Sequence, residues 1–586
     1  MSDFPLYKQL CASIVATLLL TLQLDATAAT LLAPARPVRL VAPDSVKVML
    51  DTYFELPDQA LENDVQQATF LRRAQQEIGE LLATEGYFSP VLTLQAPRLD
   101  GTQLLKVAPG PRTLVRSLDI SYSGELTKDD SALAARRATL LADWRMPIGT
   151  PFRTSDWESA KVALLSNVSS TDFAVAHISQ SEAQVDVKHA SAHLKVVIDS
   201  GPMYRFGELR VSGLSRYDKV IVTRQMRFTP GDRYRRDQLL SFQTRLQNMP
   251  QFSSVLVNLE PAKTDPNAAP IVVTITEMKP RRVSLGLGYS DNNRGRAELT
   301  YLNHNFMGSA LNLSNNLRLE QNRQTISSTV ETTPNDDGYV LSWGAVGEAT
   351  HIAGLLTARD KLSVTRSRTL GQIENRVGLA FQQEHRKPDG GLRQINQALV
   401  LDWKWHKRAI DNMLYPRIGH STELRIGGAS QQVLSDKDFV LSYVRQQFWF
   451  PVGELDVLSL RGEAGYTSAT SRLGIPQEYL FRAGGAQSVR GYGYQSLGVR
   501  EGTAIVGGRA LLTGSLEYTH WFGNDWGMAL FADSGGAAEN MKALYLSSGL
   551  GLGLRWRSPA GPLALDVAQN QKTQALHLHF SIAVVY

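Results

Sequence analysis

The pattern of apolar and polar residues changes once along the chain, near residue 280. From residue 281 to residue 586, apolar and polar positions alternate with a period of two, which is typical of β-strands whose faces meet different surroundings. In the last stretch one face holds Leu576, Leu578, Phe580, Ile582, Val584 and Tyr586, and the other holds His577, His579, Ser581 and Ala583. An apolar face toward lipid and a polar face toward a lumen predict an antiparallel transmembrane β-barrel over residues 281–586. At roughly nineteen residues per strand and connection, this length allows about sixteen strands.

Residues 38–279 show helical periodicity instead and predict three copies of one small α+β unit with the element order βααββ. The expected units are 38–113, 114–202 and 203–279. The apolar helix positions are Leu71, Ala74, Ile78 and Leu81 in the first unit, and Leu239, Phe242, Leu246 and Met249 in the third. In the second unit, Ser155 and Glu158 form a candidate capping box before Val162 and Leu165.

In each of the three units the helix is followed by a turn that contains a phenylalanine. These residues are Phe88 in the first unit, Phe173 in the second and Phe252 in the third. Small two-layer units leave strand edges that can accept an extended peptide. We therefore expect these units to bind protein, and the alternative is that they are spacers.

The first 29 residues predict an export signal. Lys8 supplies a positive charge, residues 14–24 are mostly apolar, and Ala26-Thr27-Ala28 gives a small-x-small cleavage pattern. The alternative is an uncleaved anchor, although the apolar run is too short to span a bilayer. Cys11 is the only cysteine, so the mature chain would contain no disulfide.

Charge and composition narrow the possible partners. The chain has 586 residues and a net charge of +5, and without residues 1–29, which hold Lys8, Asp3 and Asp25, the charge becomes +6. Because this excess is spread along the chain and forms no basic block, we expect no nucleic-acid partner. Beyond residue 29 there is no run of eighteen apolar residues, so a membrane crossing would use a closed barrel.

Sequence signatures of catalysis do not form a complete set. The segment Asp533-Ser534-Gly535-Gly536 is similar to the nucleophile segment of trypsin-like proteases, but no matching histidine segment precedes it. There is no phosphate-binding loop. His577 and His579 could bind a metal in principle, but we expect them to be water-exposed side chains of the lumen. The sequence thus predicts neither an enzyme nor a cofactor or metal site.

One loop motif stands out within the barrel region. Residues 485–494 read Gly-Ala-Gln-Ser-Val-Arg-Gly-Tyr-Gly-Tyr. A loop so rich in glycine can fold back tightly, and inside a barrel Arg490 would need an acidic partner. The candidate partner is Asp533, within Phe531-Ala532-Asp533-Ser534-Gly535. The alternative is that Arg490 is an ordinary loop arginine.

These features together resemble the superfamily of outer-membrane protein assembly and two-partner secretion proteins. The motifs that carry the resemblance are Val489-Arg490-Gly491-Tyr492 and Phe531-x-Asp533-x-Gly535, which are jointly specific to that superfamily. Three units, with Tyr204-Arg205-Phe206-Gly207 opening the third, are similar to TamA-like assembly factors. BamA-like members carry five such units, called POTRA domains. Two-partner secretion pores carry two behind a plug helix, for which residues 30–40 are too short.

The resemblance implies a Gram-negative outer-membrane barrel of sixteen strands with its POTRA domains in the periplasm. It implies that the sixth extracellular loop turns inward, so that Arg490 contacts Asp533. Because the lumen should be wet, we expect this pair to contribute only about 0–1 kcal/mol. It also implies a weak seam between the first and last strands, for which the sequence offers Gly286, Gly288, Phe580 and Tyr586.

The resemblance further implies a function in the assembly of unfolded outer-membrane clients, autotransporters in particular. The implied partners are a TamB-like periplasm-spanning protein, these clients and outer-membrane lipid. The main alternative is a translocator that threads one exoprotein through the lumen. A passive porin and a role in lipid transport are further alternatives, but a porin would leave the POTRA-like half without a use.

Overall fold

The computed structural model describes residues 37–98, 102–261, 265–290, 292–559 and 561–582. The predicted export signal and Tyr586 lie outside these residues. The chain forms two compact units, of which the first contains the first two small sheets and the second contains most of the third sheet and the barrel. In the described part of the chain, no helix combines the length and the apolar character that a membrane crossing requires.

The first α+β unit is built on a three-stranded sheet with the order β1-β3-β2. Its elements are β1 (Val38–Val41), α1 (Asp44–Tyr53), α2 (Asp64–Thr84), β2 (Val91–Leu94) and β3 (Gln103–Ala108). The long helix α2 buries Phe70, Ala74, Ile78 and Leu82 against the sheet. The predicted positions Leu71 and Leu81 are only partly buried, because the apolar stripe runs at a spacing of four residues.

The second unit repeats this topology with the order β4-β6-β5. Its elements are β4 (Leu114–Ser123), α3 (Ser131–Ala142), α4 (Thr154–Ser169), β5 (His177–Asp186) and β6 (Ser191–Asp199). The buried face of α4 consists of Trp157, Ala160, Leu164 and Val168.

The predicted capping box of α4 is wrong. The helix begins at Thr154, after Arg153 as its N-cap residue, and no side chain caps it. Ser155 therefore lies inside the first turn, where its hydroxyl is not at the cap position. Val162, which the prediction placed on the apolar face, is exposed.

The third unit has the sheet order β7-β9-β8. Its elements are β7 (Phe206–Ser212), α5 (Val220–Thr223), α6 (Arg236–Gln247), β8 (Phe252–Leu259) and β9 (Ala269–Glu277). All four predicted apolar positions of its helical segment, Leu239, Phe242, Leu246 and Met249, are buried. Each unit thus forms around helices packed on one face of a small sheet.

The turn aromatics do not play the same part in all three units. Phe173 and Phe252 are buried. Phe88 is half-buried and packs against the core of the following unit, with its ring 6.1 Å from that of Phe152. The first of these aromatics therefore joins two consecutive units.

The remainder of the chain forms one antiparallel sheet of sixteen strands. Eleven of them precede a long connection: β10 (Arg281–Ser290), β11 (Arg294–Phe306), β12 (Leu311–Glu320), β13 (Arg323–Glu331), β14 (Tyr339–Ile352), β15 (Leu355–Leu370), β16 (Ile373–Pro388), β17 (Gln394–Ile410), β18 (Gly419–Ala429), β19 (Phe439–Val452) and β20 (Asp456–Ser468). The connection contains the short hairpin β21 (Val499–Glu501) and β22 (Ala504–Val506). The last five are β23 (Ala510–Phe522), β24 (Trp526–Ala538), β25 (Ser547–Ser558), β26 (Gly561–Asn570) and β27 (Leu576–Ile582).

The strands alternate as the period of two predicts. In β27, Leu576 and Leu578 are exposed on the outer face while His579 is buried on the inner one. The predicted fold of three α+β units followed by a sixteen-stranded antiparallel barrel is confirmed.

The connection between β20 and β23, residues 469–509, lies within the barrel, and we call it the lumen loop. The Ile505 N–H of its hairpin donates to Ala353 O at 2.9 Å, at the turn between β14 and β15. On another part of the wall, Gly491 N donates to His579 Nε2 of β27 at 3.0 Å. The loop thus reaches well-separated strands of the same barrel.

Candidate functional site

The site is built around the tip of the lumen loop, where glycines allow the backbone to approach the wall. Gly491 has a φ of +91°, and a Cβ there would lie 3.2 Å from backbone atoms of Gln569 and Asn570. On the wall, a Cβ at Gly549 would lie 1.9 Å from Arg490 O, so this strand position also needs glycine. The loop tip is therefore held directly against β25 and β26.

Arg490 binds Asp533 of β24 through two parallel bonds. Its Nε lies 2.7 Å from Asp533 Oδ2 and its Nη2 lies 2.9 Å from Oδ1. The backbone N–H of Arg490 also donates to Asp533 Oδ2, at 3.0 Å. Ser515 of β23 donates its hydroxyl to Asp533 Oδ1 at 2.6 Å. A bidentate pair with these additional donors fixes both the position and the orientation of the loop tip.

The same guanidinium reaches two further carboxylates. Arg490 Nη1 lies 2.6 Å from Glu517 of β23 and 3.1 Å from Asp566 of β26. Its guanidinium carbon stacks 3.4 Å from the ring centroid of Phe531. Arg490 therefore ties three strands of the wall to one point of the loop.

A second arginine completes this cluster. Arg555 of β25 lies 2.9 Å from Glu517 and also binds Asp566. Arg461 of β20 donates to the carbonyl of Ser488, two residues before Arg490, at 3.1 Å. Each carboxylate of the cluster thus has at least one guanidinium partner.

The cluster is dry, which overturns the expectation of a wet, weakly coupled pair. Arg490 is 4% exposed and Asp533 is 2% exposed. The loop itself excludes water from this part of the lumen. In a buried pair, removal of one partner leaves an uncompensated charge, which is far more costly than in a solvated pair.

The other residues of the loop motif are held by packing and by one further bond. Val489 is fully buried and Tyr492 is buried. His579 accepts the Gly491 N–H and is 2% exposed, so the prediction of a water-exposed histidine is wrong at this position. Gly535 lies in β24, where a Cβ would meet backbone atoms of β23 at 2.8 Å.

Sequence reasoning missed three members of the site, namely Glu517, Asp566 and Arg555, and it gave Phe531 of the motif no contact with Arg490. All lie on the same face of their strands as Asp533, as the register of β23 to β26 shows. A usable signal was present, because charged residues at inward positions of a predicted barrel strand need partners of opposite charge. Among the described residues, no group of three or more His, Cys, Asp and Glu side chains has the arrangement of a metal site.

A second anchor holds the lumen loop on the opposite part of the wall. Glu478 binds Arg359 and lies 2.6 Å from Lys361, both on β15, and 3.7 Å from Arg425 of β18. The preceding backbone N–H, of Gln477, donates to both oxygens of Glu384 at 3.1 Å. The loop is therefore fixed to two parts of the barrel wall through ion pairs whose side chains are largely shielded from water.

The seam lies between β10 and β27, the two ends of the sheet. The strands approach each other, but among residues 281–290 and 576–582 no hydrogen-bonded ladder joins them. Along β10, Leu285 is 80% exposed and Leu287 is 85% exposed. A groove of about 400 Å³ is lined by β10 and the neighbouring β11.

The predicted seam residues have different environments. Gly286 and Gly288 lie in the middle of β10, where a Cβ would make only ordinary contacts at 3.8 and 3.9 Å with β11 side chains. Packing therefore does not require glycine at either position. Phe580 is half-buried on β27, and Tyr586 lies outside the described residues.

The third α+β unit contacts the barrel beside this seam. Gln251 is fully buried, and its side-chain amide donates to Ala310 O at 3.2 Å and to Asn312 Oδ1 at 2.9 Å, at the turn between β11 and β12. The backbone carbonyl of Gln251 accepts the Met278 N–H at 2.8 Å, immediately before the barrel begins. One residue thus joins the unit, the linker and the turn between β11 and β12.

Glu277 fixes the same junction from the other side. Its carboxylate accepts the N–H groups of Ser215 at 2.7 Å and Arg216 at 2.8 Å, as well as the Ser215 hydroxyl. Burial raises the pKa of the carboxyl, but these hydrogen bonds and the Arg216 charge outweigh burial and lower the pKa below its usual value.

Comparison with known proteins identifies the architecture. Residues 279–583 match the family model described as the Omp85 superfamily domain. The chain belongs to the Omp85 superfamily. Residues 204–278 match the POTRA model, described as a surface antigen variable number repeat. Its barrel accordingly lies in the outer membrane and its POTRA units in the periplasm.

Curated relatives and solved structures agree with this assignment. The chain is 25% identical over 381 residues to the outer membrane protein assembly factor BamA of Nitratidesulfovibrio vulgaris, covering 60% of this chain and 47% of that protein. It is 23% identical over 398 residues to BamA of Neorickettsia risticii, covering 62% and 52%. The chain thus spans about half the length of these relatives. BamA from Haemophilus ducreyi lacking POTRA domains 1–3 has a similar fold, with a TM-score of 0.67 at 16% identity over 80% of this chain and 99% of that one.

Proposed function

We propose that this protein is an outer-membrane assembly factor that receives β-barrel clients at the seam between β10 and β27. The observation that carries the proposal is the free edge of β10, which pairs fully with β11 on one side and with no described strand on the other. Unpaired backbone groups in lipid are costly, so a client strand that adds to this edge is stabilised while it folds. Recognition through backbone hydrogen bonds accepts many client sequences.

The relatives support this proposal at a coarser level, since their names describe them as outer membrane protein assembly factors. The finer assignment to TamA-like factors, with autotransporters as clients and a TamB-like partner on the first POTRA unit, is part of the proposal. The unit count and the motif around Tyr204 support it. The mechanism requires no catalytic residue and no nucleotide.

The lumen loop has a defined part in this mechanism. Its tip binds β26 through Asp566 and β27 through His579, so it holds the C-terminal side of the seam. The N-terminal side is held by Gln251. Opening of the seam would then separate two edges that are tethered by different parts of the chain. Passage of an exoprotein through the lumen, the alternative function, would require the loop to release both of its charged anchors.

The test is a reversible cross-link of the seam. The mature chain is expected to contain no cysteine, so cysteine pairs can be scanned between residues 283–289 and 576–582 without background. A disulfide forms where the Cβ atoms approach to about 3.5–4.5 Å, so the scan also reports the register. We expect the oxidised pair to stop assembly of a reporter autotransporter in proteoliposomes and reduction to restore it.

A matched control uses two strands that remain paired. Leu285 and Leu299 are direct register partners in β10 and β11. A disulfide between cysteines at these positions should leave the assembly rate unchanged. If the seam-locked protein assembles clients as fast as this control, lateral opening is wrong and passage through the lumen is the better explanation.

A further inference from the structure

The outer surface of the barrel carries two arginines on β15 that the proposed mechanism does not use. Leu362 and Val364 of this strand are exposed on the lipid-facing side. Arg366 and Arg368 follow at the same two-residue spacing and therefore face the same side. β15 ends at Leu370, so both arginines lie in the last five residues of the strand, close to the turn that follows it.

This end of β15 faces the periplasm. The turn between β13 and β14, residues 332–338, lies at the same end of the barrel because neighbouring strands are antiparallel. Gln225 of the third POTRA unit donates to Pro334 O in that turn at 3.0 Å. The two arginines therefore lie near the leaflet of the outer membrane that contacts the periplasm.

Both guanidinium groups converge on one aromatic ring. The guanidinium carbon of Arg366 lies 3.7 Å from the ring centroid of Tyr339, and that of Arg368 lies 5.1 Å from it. Tyr339 is the register partner of Arg368 across β14 and β15. Two cations thus lie close to a single tyrosine ring, which attracts each of them.

The register explains the direction of the Arg366 side chain. Its neighbours on either side in the sheet are Leu341 and Val377, both apolar. Arg366 therefore starts from a position between apolar, lipid-facing side chains. Its guanidinium group extends along the strand to the level of Tyr339 and Arg368, toward the membrane–water interface. The row that contains Arg368 also contains Asn375, which accepts the indole N–H of Trp403 at 2.9 Å. Polar and aromatic side chains of this kind mark the membrane–water interface.

Within the part of the chain that the structure describes, no acidic group balances these two charges. Among the described residues, no carboxylate lies within 4.0 Å of either guanidinium. By contrast, Arg376 on the neighbouring strand β16 lies 2.8 Å from Glu374. Two unpaired guanidinium groups that share one ring repel each other, and an anion between them relieves the repulsion.

We propose that Arg366, Arg368 and Tyr339 form a binding site for the phosphate of an anionic phospholipid in the periplasmic leaflet. Guanidinium groups bind phosphate oxygens bidentately, and the tyrosine ring orients both of them. The apolar side chains Leu341 and Val377, beside Arg366, and Val364, one row further along β15, provide a surface for the acyl chains. Because apolar side chains lie directly beside the two arginines, a phospholipid fits this site better than free phosphate does.

The test measures lipid retention by the full-length protein. Wild type and the double variant R366Q/R368Q are purified in detergent, titrated with an equimolar mixture of phosphatidylglycerol and phosphatidylcholine, and examined by native mass spectrometry. We expect the fraction that carries phosphatidylglycerol to fall about tenfold in the variant, because basic residues near the surface attract anionic lipid. Binding of phosphatidylcholine should not change.

The matched control is R376Q, which removes one arginine at the register position next to Ser367 on β15. It should retain phosphatidylglycerol as wild type does. Heat-modifiable migration establishes that each variant is folded, and R366K/R368K replaces the double variant if that one does not fold. The lysine variant keeps the charge but not the fork, so about threefold weaker retention is expected.

Two results would overturn the site. One is equal retention of phosphatidylglycerol by wild type and by the folded variant. The other comes from thermal unfolding of the detergent-purified protein, to which sodium phosphate or phosphatidylglycerol is added separately. Stabilisation of wild type by sodium phosphate, together with none by phosphatidylglycerol, would assign the arginines to free phosphate. Stabilisation by phosphatidylglycerol that is lost in the variant supports the lipid site.

Discussion

The buried cluster at the loop tip predicts strong coupling between Arg490 and Asp533. We consider Arg490→Met, which removes the charge but keeps much of the side-chain volume beside Phe531. The change leaves Asp533, Glu517 and Asp566 buried with fewer guanidinium partners. Loss of one partner from a buried ionic group costs about 3–5 kcal/mol, so we expect a destabilisation of about that size.

Asp533→Asn should be less damaging, because Arg490 keeps Glu517 and Asp566. The lost interaction is a charge-assisted pair, for which about 1.5–3 kcal/mol is typical. In the double variant, the loss of the Asp533 charge relieves part of the imbalance that the arginine change creates. The destabilisation of the double variant should therefore be smaller than the sum of the two single destabilisations, with a coupling free energy of at least about 1 kcal/mol.

The assay is urea unfolding of the barrel in detergent micelles, followed by tryptophan fluorescence, with heat-modifiable migration as a check of folding. Protease sensitivity of residues 469–509 reports release of the loop. The matched control is Arg376→Met, because Arg376 also contacts a carboxylate but its side chain is 50% exposed. Its effect should not exceed about 1 kcal/mol. Strict additivity of the two cluster changes, or an Arg490 effect as small as the control, would contradict the dry cluster.

Three further predictions concern other parts of the chain. Deletion of residues 38–110 should leave a heat-modifiable barrel but abolish co-purification of a TamB-like partner, and retained binding would make the first unit a spacer. Glu478→Gln should release the other anchor of the lumen loop, seen as faster proteolysis within residues 469–509 than in wild type. Because the folded pKa of Glu277 is lowered, its stabilising bonds to Ser215 and Arg216 are present at neutral pH and are lost as the pH falls below 4.5. Thermal unfolding of the full-length protein should therefore show a gap between wild type and Glu277→Gln at pH 7 that closes in acid, and a gap that does not depend on pH would refute this role.

Much of the fold follows from local periodicity. The alternation of Leu576, Leu578 and Phe580 with two histidines is a property of one strand, and it predicts a barrel because lipid and lumen select different side chains. The phase of α4 was mispredicted because Ser155 and Glu158 satisfy a capping pattern one residue inside the true start at Thr154. Neighbouring residues can thus offer nearly equal signals for the start of a helix, and the packing of the helix against its sheet decides between them.

The chemistry of the loop tip depends on contacts that are distant in sequence. Asp533 could be paired with Arg490 from a motif, but Asp566 lies 76 residues beyond that arginine and carries no motif. Its partner becomes evident only once the register of β24 to β26 puts both carboxylates on one inner face. Burial of the cluster was also unpredictable from the sequence, because the water that would have weakened it is excluded by the loop itself.

The positions of the two tethers give the seam a mechanical asymmetry. β10 continues from the third POTRA unit, and Gln251 binds that unit to the turn after β11. β27 is held instead from within the barrel, by the bond from the loop tip to His579. A displacement of the POTRA unit therefore acts directly on β10. Through hydrogen-bonded strands it reaches β27 only after passing along all the strands between them. If clients are received at the seam, binding in the periplasm can move one edge while the buried charges around Arg490 keep the other in place. The dry cluster would then have a function that its stability alone does not explain, because it supplies the fixed side against which the seam opens.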